Sequence, residues 1–269
     1  MIPFAKAHAC GNDFLIVTED AAAKQDWAEL TRRLCARNTG VGADGIEFFA
    51  WTGQRSGRIK LHNADGSIAE ISGNGTRCVA AWMAQERGLN VGEEVEIATD
   101  AGPRVCRVNE LRTGSEFTVE VTAGMGTPTF ALKTVMLMNE QTIEGVEVST
   151  GNPHFVIVTD SDFFTLPWRQ LGTEICVHPD FPQQTNVEFV RIRGEREIEI
   201  RIFERGVGPT TSSGTGSSAS ATAAIALGLA KSPLKVVAPG GAQMVEWGGP
   251  GTELKLTGPA SLIARGEAW

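Results

Sequence analysis

The feature that most constrains this chain is that its 269 residues carry one pattern twice. Gly11-Asn12 returns as Gly151-Asn152, an offset of 140 (151 minus 11), and a phenylalanine follows each pair, at Phe14 and Phe155. Ile46-Glu47-Phe48-Phe49 returns as Val187-Glu188-Phe189-Val190 at an offset of 141 (187 minus 46). Asn63 closes an alternating segment and maps onto Glu204, and Ser72-Gly73-Asn74-Gly75 maps onto Ser213-Gly214-Thr215-Gly216, both again at 141 (204 minus 63, 213 minus 72). Four anchors in register, one at an offset of 140 and three at 141, mark an internal duplication. Two halves of like architecture follow, placed at residues 1–118 and 119–258. Such a molecule offers each functional element in duplicate, which suits chemistry on opposite faces of one carbon.

Within the first half, alternation bounded by Gly, Asp and Asn predicts strands over 45–51, 57–63, 94–100, 104–110 and 115–122. Helices are expected over 21–37 and 75–87, the second stopped by Gly88. In the second half strands are expected over 144–149, 154–159, 185–191, 196–203, 233–238, 242–247 and 252–257, with helices near 163–172 and 215–229. Each half has one helix that is apolar and alanine-rich on nearly every side, and such a helix must be buried on nearly every side. The pattern predicts a sheet curled around a central helix, twice.

Composition removes several classes of function. A net charge of −8 and no run of basic residues speak against nucleic acid or an anionic membrane as partner. Five cysteines at irregular spacing, without a Cys-x-x-Cys pair or a His/Cys cluster, point to a reduced cytoplasmic protein and no structural metal. The apolar stretch 219–230 is too short to span a bilayer, and no signal-peptide pattern opens the chain.

The chemistry concentrates at Ser72-Gly-Asn-Gly and Ser213-Gly-Thr-Gly, each of which follows a predicted strand and opens a buried helix. Glycine lets a ligand approach the backbone. The first helical turn leaves N–H groups unpaired and carries partial positive charge, so it receives a carboxylate and the charge that develops when an α-proton departs. A single such motif is adequately explained as a serine N-cap and a glycine turn. Its repetition at equal offset favours the ligand-binding reading.

Taken together these residues resemble the diaminopimelate epimerase family over nearly the whole chain. The resemblance is carried by His8-Ala-Cys-Gly-Asn12-Asp-Phe, Gly42-Ala-Asp-Gly, Asn63-Ala-Asp-Gly-Ser67, Gly73-Asn-Gly, Gly151-Asn-Pro-His154, Asn186-Val-Glu-Phe, Glu204-Arg205-Gly-Val-Gly208, Gly214-Thr-Gly216 and Leu256-Thr-Gly-Pro. It implies an α+β fold of two pseudo-symmetric domains, each a β-barrel-like sheet around a central helix, with residues 259–269 returning to the first. It also implies interconversion of LL- and meso-diaminopimelate by two-base proton transfer, a step toward lysine and peptidoglycan precursors. No pyridoxal phosphate, other organic cofactor or metal is expected, and the family tendency is a cytoplasmic homodimer. By the same resemblance Asn12, Asn63, Asn152, Asn186, Glu204 and Arg205 bind the substrate's amino and carboxylate groups. Gly73-Asn74 and Gly214-Thr215 supply backbone donors, and His154 and Glu204 support the acid/base pair. On the residues alone, an asparagine after glycine is equally a turn former, and a lone histidine near a proline is equally structural.

The family's two catalytic cysteines fall on Ser72 and Ser213. A thiol with a reference pKa near 8.5 supplies thiolate near neutrality, and a hydroxyl does not without a strong partner. Each unit of pKa is worth about 1.36 kcal/mol, and a helix end supplies only about 0.3–2 kcal/mol. Three readings of the serines stand side by side. They are a cysteine-to-serine variant silenced in both bases, serines activated by His154 and Glu204, or a pseudoenzyme that binds an amino acid without turnover. Cys10, close to Asn12, could replace at most one base, and Cys78 reads as a core residue. Phenazine-pathway isomerases and hydroxyproline epimerases or dehydratases offer an alternative within the same fold class. Arg205 and the asparagine set favour a dicarboxylic diamino substrate over theirs.

Overall fold

Strands come first along this chain and helices cross over between them. In order the elements are β1 (Ile2–Ala9), β2 (Asn12–Thr18), α1 (Trp27–Cys35), β3 (Gly45–Trp51), β4 (Ser56–Asn63), β5 (Ile68–Ala69), α2 (Gly73–Arg87), β6 (Glu94–Thr99), β7 (Gly102–Thr113) and β8 (Phe117–Gly124). There follow β9 (Thr129–Met136), β10 (Thr142–Ser149), β11 (Pro153–Val158), α3 (Trp168–Cys176), β12 (Asn186–Gly194), β13 (Glu197–Glu204), β14 (Gly208–Thr210), α4 (Gly214–Ala226), β15 (Leu234–Ala238), β16 (Gly241–Trp247) and β17 (Leu254–Ala268). The computed structural model describes residues 1–114, 116–160, 162 and 167–269. They divide into one unit of Met1–Gly124 with Thr257–Trp269 and a second of Met125–Leu256. β8 runs through residue 118, where the sequence puts the junction between halves.

In the first unit the strands pair in the cycle β1–β2–β3–β4–β6–β7–β8–β17 and back to β1, which closes a barrel. Closure leaves no free edge. α2 runs inside it against β1, β2, β6, β7 and β8. Every residue of α2 from Gly73 to Ala84 is buried, as its lack of a polar face requires. The helix ends where Gly88 takes a left-handed φ of 62° and donates its N–H to Ala84 and Gln85. α1 covers the barrel's outer face, where Leu30, Leu34 and Cys35 pack on Leu15, Val17, Ile46 and Phe48.

The second unit repeats this plan. β9, β10, β11, β12, β13, β15 and β16 pair in succession. They wrap α4, whose residues Gly214 to Ala224 are all buried. α3 packs outside, with Trp168, Ile175 and Cys176 against Phe155, Val187 and Phe189. Register repeats too. Ile16 lies opposite Glu47 in the parallel pair β2–β3, as Val156 lies opposite Glu188 in β11–β12. Glu47 faces Leu61, as Glu188 faces Ile202.

Several boundaries differ from those expected, three of them by the most. The helix predicted over 21–37 is confined to α1 because residues 19–25 form turns and the Asp26 side chain caps Glu29 N at 2.9 Å. The helix expected near 163–172 begins at Trp168 and continues to Cys176, and its predicted residues 163–166 lie outside the described residues. The strand predicted over 252–257 continues to Ala268. β1, β2, β5, β9 and β14 carry no expectation. Among the described residues no helix is long and apolar enough to cross a membrane, and no cluster of metal-ligating side chains occurs. All five cysteines are free and buried.

Candidate active site

In the first unit the site is organised by the turn between β1 and β2. Cys10 and Gly11 both take positive φ, 52° and 82°, the two-residue turn that matches strand twist. Cys10 is therefore a buried turn residue. The turn delivers Asn12, whose Nδ2 donates to Asp44 Oδ2 at 2.7 Å and whose Oδ1 accepts from Asn74 Nδ2 at 3.1 Å. Asp44 is held by Arg37 at 2.6 Å, and Arg37 also grips Asp13 through two bonds of 2.8 and 3.1 Å. At the other end Asn74 Oδ1 accepts from the wholly buried Arg77 at 2.7 Å. Arg37, Asp44, Asn12, Asn74 and Arg77 thus form one chain of alternating donors and acceptors that fixes the start of α2. Asn63 stands apart from it. Its Nδ2 donates to Ser67 Oγ at 3.1 Å, and its backbone closes the turn to Gly66 and Ser67.

Ser72 is the N-cap of α2. Its Oγ accepts from Gly75 N at 3.0 Å, the bond expected of a capping serine. Because that N–H holds one lone pair, the hydroxyl proton is left to donate. The same helix end that stabilises the fold would stabilise negative charge on Oγ or on a carboxylate beside Gly73 and Asn74.

The second unit builds the matching element with different partners. Ser213 caps α4, its Oγ accepting from Gly216 N at 3.1 Å and lying 3.3 Å from Thr215 Oγ1. Asn152 donates to Thr215 Oγ1 at 3.4 Å and accepts from His154 Nε2 at 2.9 Å and Thr150 Oγ1 at 3.2 Å. His154 is wholly buried, and its Nδ1 meets Glu188 Oε1 at 2.8 Å. Both ring nitrogens are thereby committed, one to an amide and one to a carboxyl. His154 bears on Glu188 and Asn152, and its hydrogen bonds do not extend to Ser213. An amide also separates it from Thr215, and an amide transmits orientation well and protons poorly.

Asn186 ties the loops together, donating to Pro153 O at 2.9 Å and accepting from Arg205 N at 2.9 Å. Arg205 reaches Gln183 O at 3.1 Å. Glu204 closes β13 opposite Gly208, and its carbonyl accepts from Val207 N. Gly73 and Gly214 are the first residues of α2 and α4, where their N–H groups fall in the unpaired first turn.

Two functional candidates escape a reading of motifs. Glu47 and Glu188 point inward from β3 and β12 against the first turns of α2 and α4. A Cβ on Gly75 would collide with Glu47 Oε1, and one on Gly216 would lie 2.8 Å from Glu188 Oε1. The second glycine of each motif makes room for a carboxyl. Burial pushes the Glu47 carboxyl up to about 8. Burial also raises Glu188, and His154 opposes that rise.

The family profile described as diaminopimelate epimerase matches residues 4–131 and 146–263. The diaminopimelate epimerase of Desulforudis audaxviator is 36% identical over 278 aligned residues, which cover 98% of this chain and 98% of the relative. Among solved structures, a probable proline racemase from Agrobacterium radiobacter aligns with a TM-score of 0.77 at 17% identity, covering 100% of this chain and 93% of its own. A phenazine biosynthesis protein from Bacillus anthracis aligns with a TM-score of 0.70 at 16% identity, covering 100% and 99%. At such identities these two share the fold.

Proposed function

Since the chain belongs to the diaminopimelate epimerase family, we propose that it interconverts LL- and meso-diaminopimelate by moving the α-proton through its two serine-headed helix starts. The reaction would serve lysine biosynthesis and would use the chain's own residues without a cofactor.

One observation carries the proposal. The Ser-Gly-x-Gly helix start is built twice with the same internal geometry, each serine Oγ accepting the third N–H of a buried helix at 3.0 and 3.1 Å. The N–H groups of Gly73-Asn74 and Gly214-Thr215 then suit the reacting carboxylate and the charge delocalised onto it when the Cα–H bond breaks. Asn12, Asn63, Asn152, Asn186, Glu204 and Arg205 are assigned to the substrate's amino groups and distal carboxylate. Ser72 and Ser213 are assigned as the two groups of the two-base proton transfer.

A second reading, binding without turnover, is favoured by the hydrogen bonding of Ser72 Oγ, whose partner is a backbone N–H and no base. Incubation with LL-diaminopimelate in deuterated water separates the two. Appearance of the meso isomer carrying α-deuterium supports the epimerase. Ligand-induced thermal stabilisation with neither exchange nor meso product supports the binding protein and sinks the epimerase. Exchange without inversion would leave one working base and overturn the two-base assignment.

A further inference from the structure

The duplicated helix starts each lean on a carboxyl that the reaction, as assigned so far, does not use. Glu47 is wholly buried, and neither of its oxygens has a hydrogen-bond partner among the described residues. It sits where the side chain of Gly75 would be, and that same point is 3.2 Å from Ser72 Cβ. Glu188 occupies the corresponding place, with Ser213 Oγ 3.2 Å from the point where the Gly216 side chain would begin. A buried carboxyl with no partner costs stability. Glu188 keeps one oxygen unpaired and gives the other to His154, so a buried carboxyl stands under each serine, a costly arrangement for a fold to repeat without use.

We propose that Glu47 and Glu188 are the proton-holding groups behind Ser72 and Ser213, reached when the serine side chain turns from the helix N–H it accepts here, so that each serine relays a proton between the α-carbon and the carboxyl beneath it. The proposal rests on the epimerase reading. On the abstracting side the Cα–H bond breaks, its electron pair stays on the substrate and its proton goes to serine Oγ. The hydroxyl proton passes to the ionised carboxylate as this happens. On the delivering side the neutral carboxyl returns a proton to serine Oγ as the serine's own proton forms the new Cα–H bond. One proton enters and one leaves, with no other reactant.

The two sides start in different states. Phe14, opposite Gly45, stands where the second unit has His154 opposite Asn186. Glu188 therefore has an imidazole that opposes the rise burial imposes on it, and Glu47 has none. At neutral pH Glu47 is the protonated member, and the first unit is the delivering side. Near Cys78 on α2 lie Glu47, Arg77 of the same helix, Cys10 of the β1–β2 turn and Asp13 of β2. Burial and nearby Glu47, Cys10 and Asp13 push the Cys78 thiol well above its ordinary range, although Arg77 opposes this. Arg77 donates to Asn74 Oδ1. Ile16 on β2 and Leu61 on β4 flank Glu47 without charge.

The test uses the Glu47→Gln variant, close in shape to the native residue. Epimerisation of LL-diaminopimelate should fall about 10²- to 10⁴-fold, the usual range for loss of an acid/base group. Ligand-induced thermal stabilisation should be unchanged, and the limb of the kcat/KM pH profile near 8 should disappear. Glu47→Asp should restore part of the rate. A Glu47→Gln variant with full rate and an unmoved profile overturns the proposal. A second arm needs no turnover. In Ser72→Cys, iodoacetamide alkylation is followed against pH with Glu47 present and with Glu47→Gln added. A carboxyl that exchanges protons with position 72 must shift that profile. An unshifted profile refutes the partnership even if diaminopimelate proves not to be the substrate, and a wild type inert toward diaminopimelate with a shifted profile refutes only the substrate.

Discussion

Replacing Glu47 by glutamine should make the protein more stable, by a margin that grows with pH. The sign follows from where the carboxyl releases its proton. In the unfolded chain it does so near 4.5, and in the folded protein burial delays release to about 8. Below about pH 4.5 both states hold the proton and the group has no effect. Between those values unfolding releases a proton, so each pH unit favours the unfolded chain by about 1.36 kcal/mol. Over roughly three and a half units the wild type loses on the order of 5 kcal/mol, then no more above pH 8. That is a large share of a typical total stability of about 5–15 kcal/mol. Glutamine does not titrate and escapes the loss. Urea unfolding of both proteins at pH 5, 7 and 9 measures the difference directly, since other titrating groups are common to both. The two should nearly coincide at pH 5 and diverge by several kcal/mol at pH 9. A gap that stays constant across this range, or a variant weaker at pH 9, would refute the assignment of Glu47 as an unpaired buried acid.

Other expectations follow from the same geometry. Gly75→Ala, which in an ordinary helix would gain about 1 kcal/mol, should instead destabilise by about 1–3 kcal/mol because its Cβ displaces the Glu47 carboxyl, and thermal unfolding will report the sign. Ser72→Ala and Ser213→Ala each remove an N-cap bond and should cost about 0.5–2 kcal/mol while abolishing α-proton exchange into deuterated water. His154→Phe copies the first unit's arrangement into the second. It leaves Glu188 buried without its partner, so its stability should track the wild type near pH 5 and fall by about 3–5 kcal/mol at pH 8, read from the same urea series.

Much of this was legible in the sequence. The repeated offset foretold two units of like topology, and the registers Ile16–Glu47 and Val156–Glu188 restate it in hydrogen bonds. The apolar, alanine-rich helices foretold their burial, and Gly88 marked the end of α2. Glu47 was not legible as a site. In Ile46-Glu47-Phe48-Phe49 a period of two assigns Ile46 and Phe48 to a core face and leaves glutamate for solvent. β3, however, is covered on both faces. Ile46 and Phe48 pack under α1, and the opposite face meets α2, where Phe49 packs on Trp82. Only closure of the barrel turns a solvent position into a buried one, and no local pattern encodes closure. The partner of His154 was hidden for a related reason. Glu188 is adjacent to the histidine only through the parallel pairing of β11 with β12, 34 residues away in sequence.

The serines gain a physical rationale from these carboxyls. A thiol at a helix start combines two properties in one atom, contact with the α-carbon and acidity near neutral pH. A hydroxyl keeps the contact and loses the acidity. Burial restores acidity of the right magnitude in the residue behind it, since desolvation lifts a carboxyl from about 4.5 toward neutrality and beyond. The glycine at the third helical position is then required twice over, once for the turn and once to admit the carboxyl. This division of labour explains why the variant that should raise stability, Glu47→Gln, is the one that should lower turnover. A proton held at a useful pKa inside the barrel is a strained state, and the fold retains that strain at the position where the chemistry draws on it.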